Sequence, residues 1–298
     1  MTVAIAALAE RPRAGGGARA IVLVADKQET WEDSGLREES EIEKRRELPG
    51  GWQMLYAGDP DAADETADAL QAVRPAQVRK AATLRRLAKA AYQRVRQTSF
   101  EERVLTPRQL TLRDVSGRRL DDLPAAVLFD YVHAKVEWER DYGAELIFAG
   151  FDENGHGTLF SIDDPGVMSR SSTHTFKTIG SGAAVARMRL ISLALRPSDR
   201  AHEVLYKALD AKFHAELTAT VGAGTDAWIM ARTRTGGHAP HKVKLPLIHM
   251  VRRAVTAGTG SAFAMHDPPR RDWKERLERY VTDVLAGRRP DVSDLARR

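Results

Sequence analysis

The first eight residues, Met1-Thr2-Val3-Ala4-Ile5-Ala6-Ala7-Leu8, are an apolar, β-compatible run with no charge before Glu10. Chain ends fray unless something ties them down. Such a run at the head of a chain therefore predicts a strand built permanently into the fold. A secretory leader would carry a basic head, a longer apolar stretch and a small-residue cleavage site. Here there is no basic head, and charge returns at Glu10, Arg11 and Arg13. The run also gives Thr2 a chemical significance. Initiator methionine is commonly removed before a small residue, and a threonine left at the terminus carries a hydroxyl and an α-amine together. An α-amine ionises near ~7.7–8.0, so such a threonine is nucleophile and base at once. On these residues alone the plainer reading, a β-branched strand residue, stands beside it.

Composition narrows the classes. The 298 residues are 43% hydrophobic, enough for one large domain or two modest ones. With no cysteine, disulfides, thiolate zinc sites and cysteine nucleophiles are excluded. His238 and His241 sit among Gly and Pro and read as loop residues, so neither metal nor cofactor is expected. The formal charge of +5 is mild for this length. Arg79, Lys80, Arg85, Arg86 and Lys89 read as a solvated helix face, not a nucleic-acid patch. No apolar run reaches membrane-spanning length, and a cytoplasmic location is expected.

Along the chain, a Gly-rich loop over 10–18 leads to a buried strand over 20–25 that runs into Asp26, suggesting a hairpin with the first strand. A polar, charged stretch over 31–47 contains Lys44. A turn at Pro49-Gly50-Gly51 precedes a strand over 52–58. Asp59-Pro60 signals a helix start. Helices follow over 62–73 and 76–97, separated by Pro75, and another over 123–139. Strands are expected over 145–152, 156–162 and 171–178. Two more helices, over 183–195 and from a Ser198 cap to 217, lead to a last strand over 226–231. Helices arrive in consecutive pairs, not one per strand, which argues for antiparallel sheets with helices outside. Residues 1–232 read as one domain. Residues 233–298 read as a C-terminal extension with a basic helix near 271–285.

Several of these pieces together resemble a known family. They are Thr2 opening a strand, Val24-Ala25-Asp26 closing the next, and Lys44 ahead of a strand ending Tyr56-Ala57-Gly58-Asp59. Ala149-Gly150-Phe151-Asp152, Leu159-Phe160-Ser161-Ile162-Asp163 and Ile179-Gly180-Ser181-Gly182 complete the series. In this order, from residue 2 to about 231, they resemble the proteasome β-type subunits, in the group that includes the bacterial HslV peptidase and the Anbu proteins. The resemblance implies an α+β fold, the four-layer αββα sandwich of N-terminal-nucleophile hydrolases. It also implies a threonine-type endopeptidase working within a homo-oligomeric ring or stack on peptide or protein substrates. An ATP-dependent unfoldase partner is left open.

Carried over by position, Thr2 is the nucleophile, and its freed amine accepts the proton, through water. Lys44 lowers the hydroxyl pKa and Asp26 orients Lys44. Gly58 supplies an oxyanion N–H, Ser181 binds the terminal amine, and Thr30, Tyr56 and Gly58 contact substrate. The bulk of Tyr56 implies a shallow pocket for small P1 side chains. Where the family has an Arg two residues beyond the strand-end Asp, this chain has Gln28. Thr218 and Val221 replace an Asp and a Ser, and Val221-Gly222 with Asp226 is closer to the Anbu form. Residues 98–140 and those beyond 232 match nothing in the pattern. A non-proteolytic ring subunit and a small-substrate amidase on the same fold remain the alternative readings.

Overall fold

The structure is a computed structural model that describes residues 2–10, 19–33, 36–41, 43–116, 120, 122–170, 175–218, 221–231, 240–259 and 272–291. Its first strands, β1 (Ala4–Ala9) and β2 (Ala20–Asp26), pair as the expected antiparallel hairpin. β3 (Gln28–Asp33) and β4 (Leu36–Glu41) form a separate hairpin that runs into the polar stretch over 31–47, for which no strand was expected. β5 (Arg45–Leu48) and β6 (Trp52–Gly58) are joined by the Pro49–Gly51 turn. Asp59 caps α1 (Pro60–Gln71) by accepting from the N–H groups of Asp61 and Ala62, at 2.8 and 3.3 Å.

The expected second helix is broken into α2 (Pro75–Val78) and α3 (Ala81–Phe100), and α4 (Ala125–Asp141) follows. β7 (Ala144–Phe151), β8 (Gly157–Asp163) and β9 (Val167–Arg170) run as a meander, and β9 has no counterpart in the sequence reading. β10 (Phe176–Ile179) is shorter than expected, and residues 171–174 lie outside the described residues. α5 (Ala183–Ser192) and α6 (Ala201–Ala215) come next. The cap of α6 is Arg200, whose N–H donates to Glu203 at 2.7 Å; Ser198 does not take that role. β11 (Thr225–Ala231), β12 (Pro240–Lys242), α7 (Leu245–Thr259) and α8 (Trp273–Leu285) complete the order.

Among the described residues the strands form two five-stranded antiparallel sheets, ordered β10-β1-β2-β11-β12 and β5-β6-β7-β8-β9. Side chains alternate across a strand, and each sheet here is covered on both faces. Ala4, Ala6, Ile21 and Leu23 of the first sheet meet Leu55, Ile147 and Leu159 of the second. The alternate residues Val3, Ile5, Val22 and Val24 face α5, α6, α7 and α8. Met54, Leu146, Phe148 and Phe160 of the second sheet face α1 and α3. Burial on both faces explains why β1 and β2 read as unbroken apolar runs instead of an alternating pattern. The fold is thus an α+β sandwich of helices, sheet, sheet and helices, as expected.

The segment beyond residue 232 lends the first sheet its edge strand β12 and the first core Leu247, Val251, Leu277 and Val281 of α7 and α8. α4 forms its own small core of Tyr131 and Ala134 against Val104 and Leu105. No described helix is long and apolar enough to cross a membrane. Phe148, fully buried and stacked on Phe160 at 4.6 Å, anchors the second core. Phe148→Ala is expected to lower the unfolding free energy by about 3–5 kcal/mol, measured by urea titration; a loss under about 1 kcal/mol would contradict this core assignment.

Candidate active site

The β1–β2 register sets Ala4 opposite Ala25 and, on the other side of β1, opposite Ile179, so the start of β1 meets the ends of β2 and β10. Thr2, Asp26 and Ser181 are gathered there by strand pairing alone. Asp26 N–H donates to the Val3 carbonyl at 3.1 Å, which fixes it beside Thr2. Ser181 lies just past β10. Its hydroxyl accepts from the Thr2 backbone N–H at 3.2 Å and donates to the Thr2 carbonyl at 3.4 Å. Gly182 N–H also donates to that carbonyl, at 3.2 Å.

Lys44 arrives from the other sheet, just ahead of β5. Its carbonyl accepts from Tyr56 N–H at 3.3 Å. Its ammonium lies 3.1 Å from the Asp26 carboxylate and donates a short hydrogen bond to the Thr2 hydroxyl. Thr2, Asp26 and Lys44 are 6%, 1% and 4% exposed. Burial pushes the Asp26 carboxyl above its ordinary range, opposed by Lys44, Lys212 and the N–H of Gly222.

Gly58 closes β6 at φ +99°, and a Cβ there would stand 2.4 Å from the Gly143 carbonyl oxygen. The Asp59 N–H donates to that same oxygen at 2.9 Å. Gly180, at φ +88°, is pressed against the Thr2 carbonyl on one side and the Ala57 side chain on the other. Both positions demand glycine for conformation and for close approach, and they set the residue before Gly58 against the same turn as Thr2. Tyr56 is buried between β6 and α1, with the Arg46 guanidinium 5.1 Å from its ring centroid. Thr30 is on β3, and its side chain, like that of Gln28, lies outside the described residues, as do Met1 and His238.

Glu145, Lys242 and Lys212 are neighbours that the sequence did not single out, whereas Asp226, Thr218 and Val221 were named from it. Glu145, opposite Ala57 in the β6–β7 pairing, accepts the Gly180 N–H. Lys27 pairs with Asp226 at 3.7 Å, and Lys242 reaches Asp226 at 3.0 Å. Val221, where the family pattern has Ser, packs onto Gly182, and the Thr218 hydroxyl donates to the Ala215 carbonyl at 2.6 Å. Lys212, fully buried on α6, was not singled out at all. A lone Glu heading an apolar strand and a lone Lys on a helix's apolar face were the only signals available.

These pieces make a hydroxyl flanked by an ammonium, a carboxylate and a serine at the end of a two-sheet sandwich, and that combination invites comparison with known folds. No family model and no curated protein matches the sequence. Among solved structures, Anbu from Hyphomicrobium sp. strain MC1, a Gly-1 mutant, superposes with a TM-score of 0.59 at 16% identity, over 90% of this chain and 98% of its own. Anbu from Yersinia bercovieri, described as an ancestral beta-subunit, gives 0.58 at 14% identity, over 90% and 100%. The chain has the fold of Anbu. No group of His, Asp and Glu side chains able to hold a metal occurs among the described residues.

Lys212 gives a direct electrostatic check on the site's surroundings. Burial, the largest influence, lowers its ammonium from 10.5 to about 8 against the pull of Glu216. Between those values the unfolded chain keeps a proton that the folded chain has released, so folding stability rises with pH across that window. Relative to Lys212→Met, the wild type is expected to gain about 2–3 kcal/mol between pH ~7.5 and ~10 in urea titrations. A difference flat with pH would show that Lys212 does not titrate as a buried cation.

Proposed function

We propose that the chain is a threonine-type peptidase whose nucleophile is Thr2, freed by cleavage of the Met1–Thr2 bond. The observation that carries this reading is the Lys44 ammonium lying between the Thr2 hydroxyl and the buried Asp26 carboxylate. A buried ion pair returns little net stability, whereas an ammonium against a hydroxyl favours the alkoxide. The Thr2 hydroxyl oxygen attacks the scissile carbonyl, and its proton passes through water to the Thr2 amine, which Ser181 holds. The Gly58 N–H stabilises the developing oxyanion. The amine then protonates the leaving nitrogen as the C–N bond breaks, leaving an ester on Thr2. Water, deprotonated by the same amine, hydrolyses the ester and restores the hydroxyl.

Small P1 side chains are the proposed preference, on the reading that the bulk of the buried Tyr56, with Arg46 over its ring, leaves the primary pocket shallow. Thr30 is proposed to contact the substrate from β3. A homo-oligomeric ring or stack, with or without an ATP-driven unfoldase, is proposed as the working particle, and electron micrographs of the purified protein test the assembly.

Thr2→Ala is expected to abolish both turnover of small fluorogenic peptides and adduct formation by a β-lactone that acylates N-terminal threonine, with the assembly unchanged. Undiminished turnover in that variant rejects the mechanism. Intact mass gives a second check: a purified protein that keeps Met1 has no amine on Thr2, so the peptidase loses its base and the non-proteolytic subunit reading takes its place. The acid limb of acylation is a separate test. Activity is expected to fall first as the Thr2 amine is protonated near ~7.7–8.0, and, because burial raises the Asp26 carboxyl, a second fall is expected at a pH above the ordinary aspartate value near ~3.9. A profile unmoved by Asp26→Asn would remove Asp26 from the mechanism.

A further inference from the structure

Behind Asp26 lies a second set of buried charges that the proposed reaction does not use. Lys212 is fully buried on α6. An ammonium has three donors, and here they go to the Gly222 carbonyl at 2.8 Å, the Gly224 carbonyl at 2.8 Å and the Glu216 carboxylate. Glu216 is held in turn by Arg252 of α7, whose guanidinium donates to it at 2.9 Å. The same guanidinium donates to the Ala223 carbonyl at 2.7 Å and to the Thr225 hydroxyl at 3.3 Å, and stacks 4.3 Å from the Phe213 ring centroid. Three consecutive carbonyls, of residues 222, 223 and 224, thus point toward cations from two helices. The other edge of this loop meets the site: Gly222 N–H donates to Asp26 Oδ2 at 3.4 Å, and the Gly224 carbonyl also accepts from Lys27 N–H at 3.2 Å.

A buried lysine is costly, and a loop needing only to be closed could be closed by apolar contacts. Cations on the carbonyl side do something different, because they fix the peptide units that follow residue 222 and so hold its backbone where the Gly222 N–H reaches the carboxylate. We propose that Lys212 and Arg252, joined through Glu216, are positioning residues that hold the 222–225 loop and through it set the orientation and ionisation of Asp26. The C-terminal helix α7 is thereby coupled to the Thr2 hydroxyl through Arg252, the loop, Asp26 and Lys44. The catalytic consequence rests on the peptidase reading; the coupling to Asp26 does not.

The charged groups around Asp26 set the direction of the effect. Lys44 faces it from the second sheet and Lys212 from α6, with Glu216 and Arg252 behind Lys212 and the Lys27–Asp226–Lys242 cluster beside the loop. Lys212→Met removes both a cation and the hold on the Gly222 and Gly224 carbonyls that keeps the Gly222 N–H in place, each of which favours the carboxylate form. Arg252→Met removes only the hold, and because Arg252 is partly exposed at the surface that variant keeps the test intact should Lys212→Met fail to fold.

The experiment uses the full-length protein at native assembly, with two readouts that need no turnover. Amide exchange over residues 221–226 is expected to quicken at least about tenfold in both variants. The Asp26 carboxyl, followed by ¹³C NMR in aspartate-labelled protein and assigned with Asp26→Asn, is expected to titrate about one pH unit higher in Lys212→Met, and in the same direction in Arg252→Met. Unchanged exchange in Arg252→Met overturns the proposal, and so does faster exchange with an unmoved Asp26 midpoint, which marks a purely structural clamp. Failure of the β-lactone to label wild-type Thr2 is a separate result: it defeats the peptidase reading and leaves the two readouts here to decide the coupling.

Discussion

The contact between the Lys44 ammonium, the Asp26 carboxylate and the Thr2 hydroxyl is the point on which the architecture converges. Thr2 and Asp26 belong to the first sheet and Lys44 to the second, so the three groups meet only if the two sheets stack in one register. The apolar layer of Ala4, Ala6, Leu23, Ala25, Leu55 and Ala57 fixes that stacking. Small residues dominate near the site, which lets the sheets approach. Hydrophobic burial is non-directional, so polar groups and glycines complete the alignment. Gly180 fits between the Thr2 carbonyl and Ala57, and Gly58 lies against Gly143.

The electrostatics follow from that geometry. Removing an ammonium and a carboxylate from water costs several kcal/mol per ion in real proteins, and mutual attraction recovers this only with added hydrogen bonds. Asp26 has such help from Gly222 and from the charge of Lys212. Its carboxyl is nonetheless raised, because burial outweighs those contributions. The result is a strained-charge environment behind a hydroxyl, supported from a helix that lies more than two hundred residues away in sequence. The C-terminal helices contribute through Arg252 as well as through the apolar residues they add to the first core.

Much of the fold was legible along the chain. Apolar runs marked β1, β2, β6, β7 and β8, and Asp59-Pro60 marked the start of α1. Elements set by pairing rather than by composition were harder to read. β3 and β4 carry mostly polar residues, β9 and β12 are short, and the cap of α6 falls on an arginine. Thr2, Asp26, Lys44 and Ser181 were singled out from the sequence, and the structure gathers them. Lys212, Glu145 and Arg252 were not, since each is a single charge whose partners lie on other elements.

What the residues determine unaided is local. Two-sided burial demands apolar strands, Asp-Pro starts a helix, and the lack of cysteine removes whole classes of chemistry. Tertiary structure alone decided which charges face one another. A lysine at position 212 is an ordinary helical residue until loop carbonyls, Glu216 and the Asp26 carboxylate surround it. The reason is physical: propensity and hydrophobic periodicity act over a few residues, whereas the energy of an ion depends on burial and on neighbours that only the folded chain assembles.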